Sequence, residues 1–199
     1  MKKTALLLSG GMDSYAVAYK EKPEVAITID YGQKPYDGEL RSAQILTDRL
    51  NIEHLVISVD LSVIGSGDLN GSPAINKAPA SDWWPYRNQM LITLAAMRLI
   101  PLGVERLLIA SVKTDSNMRD GTLDFINKIS ALLSMQEGAM IVEAPAIDMT
   151  TVELVNNSDI PFSLLAWSHS CHTSNIACGQ CRGCIKHREV VKELGYAEI

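Results

Sequence analysis

The sequence predicts an α/β fold: a doubly wound parallel five-stranded sheet, followed by a small C-terminal helical segment that carries four cysteines. Three observations predict it. Apolar stretches of strand length alternate with stretches of helical spacing. The strand stretches are apolar throughout instead of every second residue, as expected of strands covered on both faces. The first of them runs straight into Ser9-Gly10-Gly11, a turn from a buried strand into a helix. The division expected is residues 1–150 for the sheet domain and residues 151–199 for the C-terminal segment.

The elements follow in order. Residues 4–9 form the first strand, and a helix starts at Asp13 and reaches Tyr19. Residues 25–30 are a second apolar strand. Residues 40–50 place Leu40, Ala43, Ile45, Leu46 and Leu50 at helical spacing with charges between them. Residues 54–60 read as the third strand, 87–100 as a long helix rich in Met, Leu and Ala, and 106–111 as the fourth strand. A helix over 123–135 and a fifth strand over 140–143 complete the sheet. Two connections are long, 61–84 and 112–122. Loops of that length in a compact domain are usually functional or mobile.

Composition sets outer bounds. A chain of 199 residues is one domain, or one with a small appendage, and 47% hydrophobic residues suffice for a core. The net charge of −5 offers no basic field for gripping nucleic acid, so no direct nucleic-acid binding is expected. The apolar run behind Lys2 and Lys3 stops at Ser9, too short for a signal-peptide core. No stretch approaches the ~20 apolar residues of a membrane span. A cytoplasmic protein without membrane contact is the expectation.

Ser9-Gly10-Gly11-Met12-Asp13-Ser14 carries the chemistry. The first N–H groups of a helix lack intrahelical partners and together bear roughly half a positive charge. The two glycines let an anion approach the backbone, and Ser9 and Ser14 add hydroxyl donors. Asp13 repels phosphate, so it either holds Mg²⁺ or caps the helix. The bland reading is an ordinary capped turn, but in average composition these five fixed positions recur by chance only about once in a million windows. Leu8, Ser9, Gly10, Gly11, Met12, Asp13, Ser14 and Tyr15 are therefore the candidate phosphate-binding segment. No Gly-Lys-Ser/Thr ending follows, so this is not a Walker loop.

All four cysteines lie between Cys171 and Cys184. A disulfide framework would spread them along the chain; clustering points to metal. Cys178, Cys181 and Cys184 form two CxxC steps, with Cys171 as the fourth ligand. Four thiolates suit a closed structural Zn²⁺ site with no open catalytic position. Three cysteines plus one also suit a [4Fe–4S] cluster, and metal-free thiols are the remaining alternative. His169, His172 and His187 are read as supporting or surface residues.

Ser9–Ser14 resembles the SGGxDS signature of PP-loop ATPases, the N-type ATP pyrophosphatases. Together with the cysteine cluster, the chain resembles the 7-cyano-7-deazaguanine synthase family of queuosine biosynthesis. Asp30-Tyr31-Gly32-Gln33, Pro85-Tyr86-Arg87-Asn88, Ala144-Pro145-Ala146-Ile147-Asp148-Met149-Thr150, Ile160-Pro161-Phe162 and Trp167-Ser168 extend the resemblance over nearly the whole chain. It implies a Rossmann-like fold of the adenine nucleotide alpha hydrolase type and a homodimer. It also implies a reaction of ATP, ammonia and 7-carboxy-7-deazaguanine that passes through an acyl-adenylate and an amide to the nitrile.

On that resemblance Asp13, Ser14 and Arg87 are the expected catalytic residues. Arg87 is the cation for the acid or the phosphate, the alternative being a surface ion pair. Gln33, Asn88, Lys113 and Asp120 are candidates for substrate contact, although Asn88 also reads as a helix cap and Asp120-Gly121 as a plain turn. Family members usually carry a Tyr-Pro-Asp-Cys-Arg stretch after the fourth strand, whereas here residues 113–122 keep only Asp120 of it. That departure leaves a second product open: an amide joined to an amine of a protein or nucleic acid. A non-catalytic nucleotide-binding module and a tRNA thiolase rank below both. An intact loop speaks against the first, and the lack of any cysteine before Cys171 against the second.

Overall fold

The computed structural model describes residues 2–196. Five strands, β1 (Thr4–Leu7), β2 (Val25–Asp30), β3 (Glu53–Ser58), β4 (Arg106–Leu108) and β5 (Ile141–Glu143), form one sheet in the order β3-β2-β1-β4-β5. Every pairing is parallel. The chain winds outward from β1 to β3, then crosses back over β1 to lay down β4 and β5. The direction of winding reverses between β1 and β4, and crevices at such switch points bind ligands in open α/β sheets.

The helices are α1 (Met12–Glu21), α2 (Tyr36–Leu50), α3 (Arg87–Leu99), α4 (Leu123–Ser134), α5 (Thr151–Ser158), the single turn α6 (Phe162–Leu165) and α7 (Arg182–Glu193). They bury two apolar layers, one on each face of the sheet. Successive strand residues point to opposite faces, and the central strands show this directly. Ala5, Val25, Ile27, Ile29 and Leu107 pack with Ile92 and Leu99 of α3 and Ile126 of α4. Leu6, Ala26 and Leu108 pack on the other face with Tyr15 of α1, Leu46 of α2 and Leu154 of α5. This double covering is why the central strands are apolar throughout. The second layer also takes in Leu165, Val190 and Val191, so residues on both sides of position 150 share it.

The edge strand β3 corrects the expectation that every strand is covered on both faces. Glu53, Val56 and Ser58 are exposed, because an edge strand with no helix over its outer margin leaves part of itself in solvent. The long 61–84 connection is held by its own hydrogen bonds: Asp68 N donates to Ser81 O at 2.8 Å, and Ser81 Oγ to Asp68 Oδ2 at 2.6 Å. Leu69 and Trp84 anchor it in the first apolar layer, where Trp84 meets Tyr31 edge-on at 5.2 Å. No helix among the described residues is long and apolar enough to cross a membrane.

Candidate active site

A cavity of about 350 Å³ opens at the carboxyl ends of β1, β2 and β4, at the switch point. The loop after β1 forms its floor. Leu8, Ser9, Gly11, Met12, Asp13 and Ser14 line it; Gly10 and Tyr15, expected beside them, do not. Tyr15 is fully buried and its hydroxyl donates to Ser42 O at 2.6 Å, tying α1 to α2. Gly10 has φ +75°, and a Cβ there would stand 2.6 Å from Glu39 O. This glycine is demanded by the approach of α2, a cause invisible in the motif, where both glycines read as room for an anion. Gly11 has room for a Cβ, which would meet only ordinary contacts, Ser9 Oγ at 3.6 Å and His169 O at 3.7 Å.

Gly11 is the N-cap of α1 and lends no side chain, so neither Asp13 nor any other side chain caps this helix. Its first-turn N–H groups are left for a ligand. Ser14 Oγ donates to Gly11 O at 2.8 Å and lies 3.5 Å from Ser9 Oγ. Asp13 sits in the first turn, its Oδ2 accepting from Lys186 Nζ at 3.0 Å while its buried Oδ1 has no partner. Lys186 Nζ is also 3.9 Å from Asp115 Oδ1.

Arg87 and Asn88 begin α3 on another wall. Tyr86, in the left-handed region at φ 58°, occupies the cap position that the sequence left open for Asn88. Asn88 Oδ1 instead lies 3.4 Å from Arg87 Nε. Burial works against the charge of Arg87, but Tyr31, Asp120, Asp82 and Glu39 around it outweigh that and raise its pKa. It is half-buried and lines the cavity among these groups.

Gln33 is buried on the same wall. Its Oε1 accepts from Tyr31 N at 2.8 Å, and its Nε2 donates to Ile29 O at 3.0 Å and to Glu39 Oε2 at 2.8 Å. Both amide hydrogens are engaged, so Gln33 fixes Glu39 in place. Burial pushes the Glu39 carboxyl up to about 7, against the pull of the Gln33 hydrogen bond and of Arg87. Asp120 lies on the wall within a short turn, Arg119–Gly121. Lys113 does not: it is exposed and stands outside the cavity lining.

The four cysteine Sγ atoms lie within 4.8 Å of one another, with Cys178–Cys184 and Cys171–Cys181 both at 3.9 Å. A tetrahedron of thiolates about 2.3 Å from one Zn²⁺ has an edge of about 3.8 Å, so the geometry fits one ion. A disulfide would need about 2.05 Å. An iron–sulfur cube, with one thiolate on each of its irons, needs a wider set. Backbone N–H groups already point at the sulfurs: His172 N and Cys184 N at Cys181 Sγ (3.3 and 3.4 Å), and Cys181 N at Cys178 Sγ (3.3 Å).

This cluster does not stand apart from the loop after β1, as the sequence order suggests. His169 N donates to Gly10 O at 2.8 Å, and Cys171, Arg182, Gly183 and Lys186 are part of the cavity wall.

The model of the family described as queuosine biosynthesis protein QueC matches residues 3–195. The chain belongs to the QueC family. Among curated relatives it is similar to the 7-cyano-7-deazaguanine synthase of Chlorobium luteolum, with 31% identity over 92% of this chain and 89% of that one. It is also similar to the Porphyromonas gingivalis protein of the same name, with 27% identity over 98% and 94%. Among solved structures, a predicted subunit of tRNA methyltransferase from Methanocaldococcus jannaschii shares the fold at 17% identity, with a TM-score of 0.51 over 99% of this chain and 91% of that one.

In this QueC-family chain the sequence reading missed Glu39, Asp115 and Lys186. Glu39 carried a faint signal, since it lies in the first turn of α2, six residues beyond Gln33. Lys186 carried none: 173 residues separate it from the Asp13 it meets.

Proposed function

We propose that this chain is an ATP-dependent carbon–nitrogen ligase that converts 7-carboxy-7-deazaguanine and ammonia to 7-cyano-7-deazaguanine, releasing AMP and pyrophosphate. The observation that carries the reading is the uncapped N-terminus of α1, flanked by Ser9 and Ser14, opening onto a cavity whose other wall bears Arg87, Asn88, Glu39 and Asp120. The names of the relatives and the motif resemblance supply the substrate.

A carboxylate is a poor electrophile. Its oxygen attacks the α-phosphorus of ATP, the bond to the bridging oxygen breaks, and pyrophosphate departs with the negative charge. The loop N–H groups and Ser14 take up that charge as it develops. Arg87 holds the acid against the phosphate, converting an encounter into a positioned reaction. Ammonia then adds to the acyl carbon, AMP leaves, and a proton is released. The amide oxygen is adenylated in the same way; loss of AMP and the remaining N–H protons gives the nitrile. Asp120 accepts from the guanine-like amine, Asn88 contacts the substrate, and Gln33 acts through Glu39. No role follows for Lys113 from its exposed position.

Mg²⁺ travelling with ATP would neutralise phosphate charge, and the unpartnered Oδ1 of Asp13 suits it. Zn²⁺ held by Cys171, Cys178, Cys181 and Cys184 would staple the C-terminal segment. A cytoplasmic homodimer belongs to the same reading; exposed Met90 and Met97 on α3 offer an apolar contact.

The 113–122 loop lacks the family's Cys-Arg pair, so the amide-to-nitrile step is expected to be slow or absent. An amide, free or on a macromolecular amine, is then the second product. The test supplies ATP, ammonia and the deazaguanine acid and reads products by mass. Rapid, complete conversion to nitrile rejects the amide reading. Failure to adenylate the acid rejects the substrate.

A further inference from the structure

We propose that Lys186 is a phosphate-contacting residue of the ATP site, delivered by the cysteine knuckle to a loop that has no cation of its own. The inference rests on the ATP-binding reading above but not on the identity of the acid. The residues Ser9–Ser14 contain neither lysine nor arginine. Walker loops carry a lysine that reaches the β- and γ-phosphates, and helix N–H groups alone offer only partial charge to a polyanion.

Lys186 meets the need geometrically. It lines the cavity, with Nζ 3.0 Å from Asp13 Oδ2, and Asp13 is the second residue of α1, among the first-turn N–H groups. Its side chain is 39% exposed and borders the cavity in which the phosphates would sit. Of the strong cations on the wall, Lys186 alone among the described residues bonds a residue of the Ser9–Ser14 loop. Arg182 Nη1 is held by Asp82 at 3.0 Å, and Arg87 stands among Tyr31, Asp120, Asp82 and Glu39.

Its helix is fixed at both ends. Cys181 is the N-cap of α7, its Sγ accepting from Cys184 N at 3.4 Å, and Val190 and Val191 are buried in the second apolar layer. A Cβ on Gly183 would fall 1.9 Å from Ser170 O, so the start of α7 is pressed against the 169–172 segment that bonds the loop. Lys186 is therefore a placed cation.

The plain alternative is that Lys186 only staples Asp13. A double-mutant cycle separates the two. Binding of inorganic pyrophosphate and of a non-hydrolysable Mg–ATP analogue is titrated by calorimetry on zinc-loaded wild type, Lys186→Met, Lys186→Arg, Asp13→Asn and the Asp13→Asn/Lys186→Met double variant. Exposed Lys192→Met is the control for net charge, and thermal melting is followed throughout.

A lost charge-assisted contact weakens binding about ten- to hundredfold. Lys186→Met is expected to show that loss, Lys186→Arg a smaller one and Lys192→Met none. The loss from Lys186→Met should persist when Asp13 is already Asn. Unchanged binding in Lys186→Met, or no further loss in the Asp13→Asn background, overturns the proposal. Lys186→Gln replaces Lys186→Met if the latter does not fold. Wild-type protein that binds neither ligand overturns the ATP reading as well. Protein that binds both through Lys186 but ignores the deazaguanine acid loses only its substrate assignment.

Discussion

Arg182 Nη1 donates to Asp82 Oδ1 at 3.0 Å, joining the first residue of α7 to the long 61–84 connection. His172 Nδ1 lies 3.4 Å from the other carboxylate oxygen, and the Asp82 side chain is only 11% exposed. One carboxylate thus ties the loop to the cysteine knuckle across the cavity mouth. Asp82→Ala leaves Arg182 without its partner and releases the loop. The expected cost is about 1–2 kcal/mol, limited by the partial exposure of Arg182. Urea melts read the stability, and limited proteolysis should cut earlier within 61–84; cleavage at the wild-type rate would count against the tether.

Glu39 gives the fold a pH dependence. Its carboxyl ordinarily titrates near 4.5 and is held up to about 7 by burial, which outweighs the Gln33 hydrogen bond and Arg87. The folded state therefore binds the proton more tightly than the unfolded chain. This contribution is intact below about pH 4.5, is lost as pH rises to about 7, and is constant above. The shift corresponds to at most roughly 3 kcal/mol at 1.36 kcal/mol per unit. Glu39→Gln should remove this part of the decline and melt higher than wild type at pH 8. Parallel melting profiles of the two proteins between pH 5 and pH 8 would refute it.

The two loop glycines should separate stability from binding. An Ala at position 10 adopts a left-handed backbone at φ +75° and presses its Cβ on Glu39 O. Gly10→Ala is expected to cost roughly 2–4 kcal/mol. Gly11→Ala finds only ordinary contacts and should cost no more than about 1 kcal/mol, while its Cβ enters the space meant for phosphate and lowers ATP affinity. Denaturant melts and nucleotide titration on both variants check the split; equal stability losses would contradict it.

The metal prediction couples folding to binding. Elemental analysis should find one zinc per chain and no iron or labile sulfide. Stripping the ion, or Cys184→Ser, removes local folding free energy of order 10 kcal/mol and frees α7. Because His169 bonds Gly10 O and Lys186 bonds Asp13, pyrophosphate affinity should fall along with stability. The closed four-thiolate site alone suggests the C-terminal segment would loosen with little effect on ATP. Unchanged pyrophosphate binding in the apoprotein would support that simpler expectation.

Asp13→Ala and Ser14→Ala should abolish AMP and pyrophosphate production with the fold retained. Asp13 caps nothing, its Oδ1 accepts no hydrogen bond among the described residues, and its one ion-pair partner within 3.0 Å is the part-exposed Lys186. Circular dichroism checks folding, and a pyrophosphate release assay checks turnover. Wild-type turnover in Asp13→Ala would remove it from the phosphate site.

The sequence by itself determined the doubly wound sheet, and it singled out the loop after the first strand and the four clustered cysteines, because each rests on local order. Periodicity is read within a few residues, the Ser9–Ser14 loop is contiguous, and the cysteines lie within fourteen residues of one another. Arg87 and Asn88, singled out through a family motif that survives intact, and Asp120, all that is left of one that does not, line the cavity. Only the tertiary structure decided that Gly10 serves the packing of α2, that Gln33 spends its amide on Glu39, that Lys113 stands outside the cavity lining, and that the knuckle sends Lys186 to Asp13. For Gly10 and Lys186 the physical reason is the same. Helix packing and burial bring together groups far apart along the chain, and neither the charge of Lys186 nor the raised pKa of Glu39 has a partner until the two apolar layers close.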